Sequence, residues 1–153
     1  MKVLVIEDDK FKAEQLCGFV RENLPEADLR CCRSYQSGLL AIEDLQPDIV
    51  LLDMVIPNYD LSESEMGFDV RLFGGVDVLR EVKREGFECK VVVVTQFEDF
   101  GEGEEKTTFR ELQVSLAEGY AENYVGAVYY HPTRSDWVPV LQRLVSEIRI
   151  DVE

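Results

Sequence analysis

The chain has 153 residues, about the size of one domain, and its 46% hydrophobic and 10% aromatic residues are enough to form a buried core. Sixteen lysines and arginines against 31 aspartates and glutamates give a formal net charge of −15. This charge argues against binding to nucleic acid or to an anionic membrane, because phosphate groups repel such a surface. No apolar run approaches the ~20 residues of a membrane span. No secretory signal follows Met1, and the four cysteines lack CxxC spacing, so we expect a cytoplasmic protein with reduced thiols.

Strand and helix patterns alternate along the chain. Short aliphatic runs, typical of strands buried on both faces, predict strands at 2–6, 29–33, 49–53, 90–95 and 126–130. Apolar residues at helical spacing predict a helix after each strand, with inner faces at 13–24, 38–45, 76–82, 109–120 and 137–148. Ser34 is a predicted cap of the second helix, and Pro25, Pro47 and Gly86 end the first three helices.

Two long polar stretches interrupt this alternation, at about 58–75 and 98–108, and we interpret them as insertions into a single domain that spans 1–153. Five strands alternating with five helices predict an α/β fold with a parallel five-stranded sheet and helices on both faces. Ligands of such sheets bind at the carboxyl ends of the strands.

Polar residues stand where four of the predicted strands end: Glu7 and Asp8, then Asp53, Thr95 and His131. Carboxylates brought together at one sheet edge repel by ~4 kcal/mol per pair at a partly shielded surface, so the cluster favours a divalent cation. Hard oxygen ligands select Mg²⁺. A carboxylate beside Mg²⁺ can act as a nucleophile toward phosphorus, and Thr95 can donate a hydrogen bond to a phosphoryl oxygen. A cation at the end of the fifth strand can pair with the added charge.

Four segments carry a resemblance to a known family: 3–9 (VLVIEDD), 47–57 (PDIVLLDMVIP), 91–95 (VVVVT), and Gly126–Ala127 with His131–Pro132. In this order they resemble the receiver domain of two-component response regulators over nearly the whole chain. The resemblance implies a CheY-like, flavodoxin-like (βα)5 three-layer sandwich with strand order 2-1-3-4-5. It also implies a sensor histidine kinase or a phosphotransfer protein as the partner that supplies phosphoryl groups.

Carried over by position, the resemblance makes Asp53 the phosphoacceptor. Glu7 and Asp8 are the acidic pair that holds Mg²⁺, with Asp8 as the direct ligand. Asp53 and the backbone carbonyl of Val55 complete the protein's share of the metal site, and Thr95 is the switch hydroxyl.

Several departures from the family pattern stand beside the site. His131 replaces the lysine that precedes the proline, and histidine, with an ordinary pKa of ~6.5, is not fully charged at pH 7. Gln96 stands where the family has a very small residue. The aromatic switch position falls on Val128, with Tyr129 and Tyr130 beside it, and a one-residue slip would exchange their faces.

Two apolar residues, Val55 and Phe97, follow Asp53 and Thr95 at a distance of two residues. Their side chains overhang the predicted site and are unable to orient an attacking water. We therefore predict that phosphorylated Asp53 hydrolyses slowly.

Three functions compete at this point. The leading interpretation is a stand-alone receiver, not an enzyme, which accepts phosphoryl groups at Asp53 and acts by contacting a downstream protein of unknown identity. The alternative is a degenerate receiver that is never phosphorylated and serves as an adaptor, as His131 and Gln96 suggest. An aspartate-nucleophile phosphatase ranks below both, since its general acid, a second aspartate two residues after the nucleophile, is replaced by Val55.

Overall fold

The computed structural model describes residues 1–60, 70–71, 74–96, 99–100 and 107–152. In chain order its elements are β1 (Lys2–Ile6), α1 (Lys10–Asn23), β2 (Asp28–Cys32), α2 (Tyr35–Leu45), β3 (Ile49–Leu52), β4 (Ile56–Pro57), β5 (Val70–Arg71), α3 (Gly74–Glu85), β6 (Lys90–Thr95), β7 (Asp99–Phe100), β8 (Thr107–Thr108), α4 (Phe109–Gly119), β9 (Tyr124–Tyr129) and α5 (Trp137–Val152).

Within the described residues, the five longer strands form one parallel sheet in the order β2-β1-β3-β6-β9. Numbered among themselves, these strands have the order 2-1-3-4-5, so the predicted fold and topology are confirmed. Each strand lies within two residues of its predicted bounds. The largest difference is at β9, which begins at Tyr124 because its pairing with β6 shifts by one residue between Val91 and Val92.

Helices cover both faces of the sheet, as the aliphatic strands require. Val3 and Val5 of β1 pack with α1 and α5, whereas Leu4 and Ile6 of the same strand pack with α2, α3 and α4. This alternation follows from the two-residue period of a strand, which sends neighbouring side chains to opposite faces. Ser34 caps α2 as predicted, with its hydroxyl oxygen accepting from the Ser37 backbone N–H at 3.1 Å.

Short antiparallel ribbons stand at the two predicted insertions. Strand β4 pairs with β5, and β7 pairs with β8. Residues 61–69, 72–73, 97–98 and 101–106 lie outside the described part of the chain, so the extents 58–75 and 98–108 and the single domain 1–153 stay predictions.

The cysteines differ from the expectation of four reduced thiols. The structure joins Cys17 of α1 to Cys31 of β2 in a disulfide, so the expectation is wrong for this pair. Cys32 and Cys89 are free, and burial raises the pKa of the Cys89 thiol to about 11. None of the helices in the described ranges has the length and apolar composition needed to cross a bilayer.

Candidate functional site

The acids predicted to converge lie at the carboxyl ends of the two central strands. Strands β1 and β3 pair up to Ile6 and Leu52, and the backbone N–H of Asp53 donates to the Ile6 carbonyl at 3.2 Å. The carboxylate oxygens of Glu7, Asp8 and Asp53 form a group to which each contributes one carboxylate oxygen, and all three oxygens lie within 4.8 Å of one another. Glu7 and Asp53 are buried, with only 2% and 4% of their surface exposed. The structure therefore brings the three predicted acids together, and their role as a metal site stays a prediction.

The start of α1 is built into this acidic cluster. Asp9 caps the helix, because its carboxylate accepts from the backbone N–H of Lys12 at 2.9 Å. The backbone N–H of Asp9 in turn donates to Oε1 of Glu7 at 3.0 Å. The cap therefore fixes both a site carboxylate and the first turn of the helix, and Asp9 has the helix-start role that its position favours.

Lys12 is the cation that the acids contact. Its side chain is 1% exposed, and its Nζ lies 2.6 Å from Oε2 of Glu7 and 3.3 Å from Oδ2 of Asp53. The same ammonium donates to the backbone carbonyl of Val94 at 2.6 Å and lies 5.6 Å from the centre of the Tyr130 ring. A lysine is rarely buried unless it is paired, and here the paired groups are the predicted site residues.

The cluster holds more carboxylates than cations, and burial together with this excess raises the pKa of its acids. Burial raises the pKa of Glu7 to about 8, and the charge of Asp53 adds to this increase, while the Lys12 ammonium opposes it. Burial and the charge of Asp53 also raise the pKa of Asp8. With all groups ionised, three carboxylates and one ammonium leave a formal charge of −2.

The donor set fits a small divalent cation. Ligands of Mg²⁺ stand ~3 Å apart when they are adjacent and ~4.2 Å apart when they are opposite, so oxygens within 4.8 Å of one another can be drawn onto one ion by side-chain movement. Oδ1 of Asp53 is buried without a hydrogen-bond partner, which leaves it available as a ligand or a nucleophile. All these donors are oxygens, and the residual charge matches a divalent ion. Val55 is half-buried against the α2–α4 side of the core, and the role of its carbonyl as a ligand stays a prediction.

Thr95 and His131 have different surroundings. Thr95 is fully buried at the end of β6, and its backbone carbonyl accepts from the Tyr130 N–H at 2.8 Å. His131 lies two residues beyond the last paired residue of β9, and its Nδ1 accepts from the backbone N–H of Thr133 at 3.2 Å. Its ring makes no ion pair with the described acids, and the cation at the site comes from α1 instead of from the end of the last long strand.

The register of β9, left open by the sequence, is defined in the structure. Val128 is buried in the core with α1 and α5. Tyr129 points to the opposite face, where its ring meets Phe109 of α4 edge-on at 6.1 Å. Tyr130 is buried on the α1 side, donates its hydroxyl hydrogen to Gln15 and packs against Trp137 at 5.4 Å. The strand residue whose side chain faces α4 is therefore the aromatic Tyr129, whereas Val128 faces α1 and α5.

Comparisons with known proteins show which proteins this chain is similar to. The chain is 32% identical over 139 residues to the uncharacterized protein y4jR of Sinorhizobium fredii, covering 90% of this chain and 91% of that protein. It is 29% identical over 151 residues to the Detocs response regulatory protein DtcB of Enterobacter cloacae, covering 97% of this chain and all of DtcB. Among solved structures, a receiver domain of Clostridium thermocellum superposes with a TM-score of 0.65 at 18% identity, covering 99% and 97% of the two chains. The chain belongs to the receiver-domain family of response regulators.

Other receivers extend the same likeness in fold. The response regulator domain of Thermotoga maritima CheB superposes with a TM-score of 0.63 at 16% identity, covering 97% of this chain and 93% of that one. No family model matches the chain. This receiver is thus a divergent one, in which the five-stranded fold is retained at low sequence identity.

Lys12 is the site residue that the sequence analysis missed. The signal was present in the spacing of α1, where Lys12 stands four residues before Leu16 and eight before Val20, both of them buried. A lysine at this spacing lies on the inner stripe of an amphipathic helix. Its position at the head of that stripe, one turn after the strand-end acids, places its ammonium among them.

Proposed function

We propose that this receiver is a Mg²⁺-dependent phosphoacceptor in a histidine-to-aspartate phosphorelay, with Asp53 as the accepting residue. The observation that carries the proposal is the state of the Asp53 carboxylate. One oxygen, Oδ2, is held 3.3 Å from the Lys12 ammonium, and the other, Oδ1, is buried without a hydrogen-bond partner. A buried unpaired oxygen costs free energy and is expected where a ligand or a reaction uses it.

The proposed reaction moves one phosphoryl group. A carboxylate oxygen of Asp53 forms the new O–P bond as the P–N bond to a phosphohistidine imidazole breaks. The imidazole nitrogen keeps the electron pair of the broken bond and takes up a proton. The product is an acyl phosphate on Asp53 and a neutral histidine on the donor.

Each residue around Asp53 has a proposed part. Glu7, Asp8 and Asp53 would hold Mg²⁺ together with the backbone carbonyl of Val55. When bound, the ion would neutralise the cluster and stabilise charge on the phosphoryl oxygens. Thr95 is buried at the neighbouring strand end and would donate its hydroxyl hydrogen to a phosphoryl oxygen.

The proposed partners follow from the same chemistry. A sensor histidine kinase or a phosphotransfer protein would supply the phosphoryl group, and the output would be contact with a downstream protein. The alignment with the Detocs response regulatory protein DtcB, which covers 97% of this chain, supports a signalling role of this kind. We propose no enzymatic turnover beyond self-phosphorylation from the donor and slow loss of the phosphoryl group.

Intact-mass measurement after treatment with acetyl phosphate and Mg²⁺ tests the proposal. The wild-type chain should gain one phosphoryl group, and Asp53→Asn should gain none. Loss of the gain on omitting Mg²⁺ would support the metal site. No mass gain in wild type at saturating Mg²⁺ and donor, or an equal gain in Asp53→Asn, would refute the proposal.

One observation favours a second candidate, the degenerate receiver that acts as an adaptor. The Lys12 ammonium already neutralises part of the charge of Glu7 and Asp53 without any metal. In that function the buried ion pairs would be structural, and the chain would bind its partner with equal affinity with and without phosphodonor and Mg²⁺. The mass measurement separates the two functions.

A further inference from the structure

We infer that Lys12 is a catalytic residue of this receiver: its ammonium, supplied by helix α1, pairs with the phosphoryl group on Asp53. This inference rests on the proposed function and adds to it the residue whose positive charge pairs with the phosphoryl group. The sequence pattern instead favoured His131, at the end of the last long strand, for this task.

The geometry of Lys12 carries the inference. An acyl phosphate brings additional negative charge to Asp53, which is only 4% exposed, and a positive donor within hydrogen-bond reach stabilises such charge. In the described part of the chain, the side-chain cation contacting Asp53 is Lys12, at 3.3 Å from Oδ2. Its ammonium donates to the Val94 carbonyl and forms ion pairs with Glu7 and Asp53.

His131 makes none of the contacts that Lys12 makes, within the part of the chain that the structure describes. It lies outside the paired part of β9, and its ring is engaged with Thr133 at 3.0–3.2 Å. Tyr130, the residue before it, is instead the one buried beside Lys12. The segment that follows the last long strand therefore contributes the Tyr130 ring, against which the Lys12 ammonium lies, and the positive charge comes from α1.

The anchoring of Lys12 also fits a residue that responds to Asp53. Its backbone is fixed by the Asp9 cap, and the long side chain reaches from the first turn of α1 to the ends of β3 and β6. Its ammonium lies against Tyr130, whose ring packs on Trp137, the single tryptophan of the chain. Trp137 fluorescence is thus an intrinsic reporter of events at Lys12.

The experiment compares Lys12→Met with Lys10→Met at saturating Mg²⁺. Lys10 is an exposed lysine of the same helix turn and makes a matched control. Both variants are treated with acetyl phosphate, and the initial rate of mass gain is measured. We expect at least a tenfold loss of rate in Lys12→Met and less than a twofold change in Lys10→Met. The change in Trp137 emission on phosphorylation should be present in wild type and absent in Lys12→Met.

A measurement on the wild-type chain makes the test independent of whether Lys12→Met folds. Beryllofluoride with Mg²⁺ mimics the phosphoryl group, and its bound ¹⁹F signals should show nuclear Overhauser contacts to the Lys12 side chain. Contacts to the His131 ring instead, or wild-type rates in Lys12→Met with loss in His131→Gln, would overturn the inference. If wild type neither gains mass nor binds beryllofluoride, the proposed function itself fails.

Discussion

Removing the Lys12 ammonium should strengthen Mg²⁺ binding, although we expect the same change to slow phosphorylation. Lys12 lies 2.6 Å from Glu7 and 3.3 Å from Asp53, so it shares two of the three carboxylates with the proposed metal site. A divalent cation bound to those oxygens would be ~5 Å or less from the ammonium. At ~5 Å their repulsion is ~2 kcal/mol at the dielectric constant of water and ~7 kcal/mol at an effective value of 20.

The lower figure sets the minimum effect, because the flexible lysine side chain can move away from the ion. Since ~1.4 kcal/mol corresponds to a factor of ten in affinity, Lys12→Met should bind Mg²⁺ at least tenfold more tightly than wild type. Isothermal titration calorimetry at pH 7 and constant ionic strength measures the two dissociation constants, with Lys10→Met as the control for loss of one positive charge from α1. Equal or weaker binding in Lys12→Met, in a folded protein, would show that the ammonium and the metal do not share the acids.

Three further predictions address other parts of the site. Burial and the charge of Asp53 raise the pKa of Glu7 to about 8, so Mg²⁺ must displace a proton from Glu7 below that pH. The affinity for Mg²⁺ should therefore increase from pH 6 to pH 8 and level off above, and calorimetry in buffers of different ionisation enthalpy should detect the released proton. An affinity that does not change with pH would contradict the raised pKa. Gly75→Ala should lower the free energy of unfolding by ~1–3 kcal/mol in urea titrations, because a Cβ at this position would lie 2.6 Å from the Asp53 carbonyl oxygen and 2.8 Å from the Met54 Cα. The control is Gly119→Ala, which should not destabilise the protein because a Cβ there would have no heavy atom within 4 Å. The acyl phosphate on Asp53 should persist for minutes or longer after the donor is removed, because the apolar Val55 and Phe97 are unable to orient an attacking water. Phe97 lies outside the described residues. A half-life of seconds by intact mass would refute this reasoning.

The fold was predictable because its determinants are local and repeated. Aliphatic strands such as Val91–Val94 must be covered on both faces, and the apolar stripes of α1 and α5 on one face and of α2, α3 and α4 on the other supply that cover. The acids at the site were predictable for a related reason. An acid that ends so apolar a strand as Ile49–Leu52 has no packing role, and parallel topology brings it beside the acids that end β1.

The cation of the site was not predictable in the same way. A lysine on a helix is ordinarily exposed, so the sequence alone favours a surface position for Lys12. Its burial becomes predictable only when its spacing from the apolar residues Leu16 and Val20 of α1 is considered. The resemblance put His131 at the position of the family's lysine because it precedes a proline, but the last paired residues of β6 and β9 are Thr95 and Tyr129, with one further hydrogen bond from the Tyr130 N–H to the Thr95 carbonyl. Where a ladder ends depends on pairing between distant segments, and local sequence does not specify it.

The origin of the cation in α1 determines which part of the fold is directly linked to Asp53. Glu7 accepts from the Asp9 backbone, the Asp9 carboxylate accepts from the Lys12 backbone, and the Lys12 ammonium returns to Glu7. This closed ring of contacts joins an acid of β1, the cap of α1 and the lysine into one unit. Any charge added to Asp53 that draws Lys12 toward it therefore acts on the first turn of α1 and on Tyr130 together. Phosphorylation of Asp53 would therefore be transmitted first through the N-terminal turn of α1, whose cap is hydrogen-bonded to Glu7, and not through the end of β9.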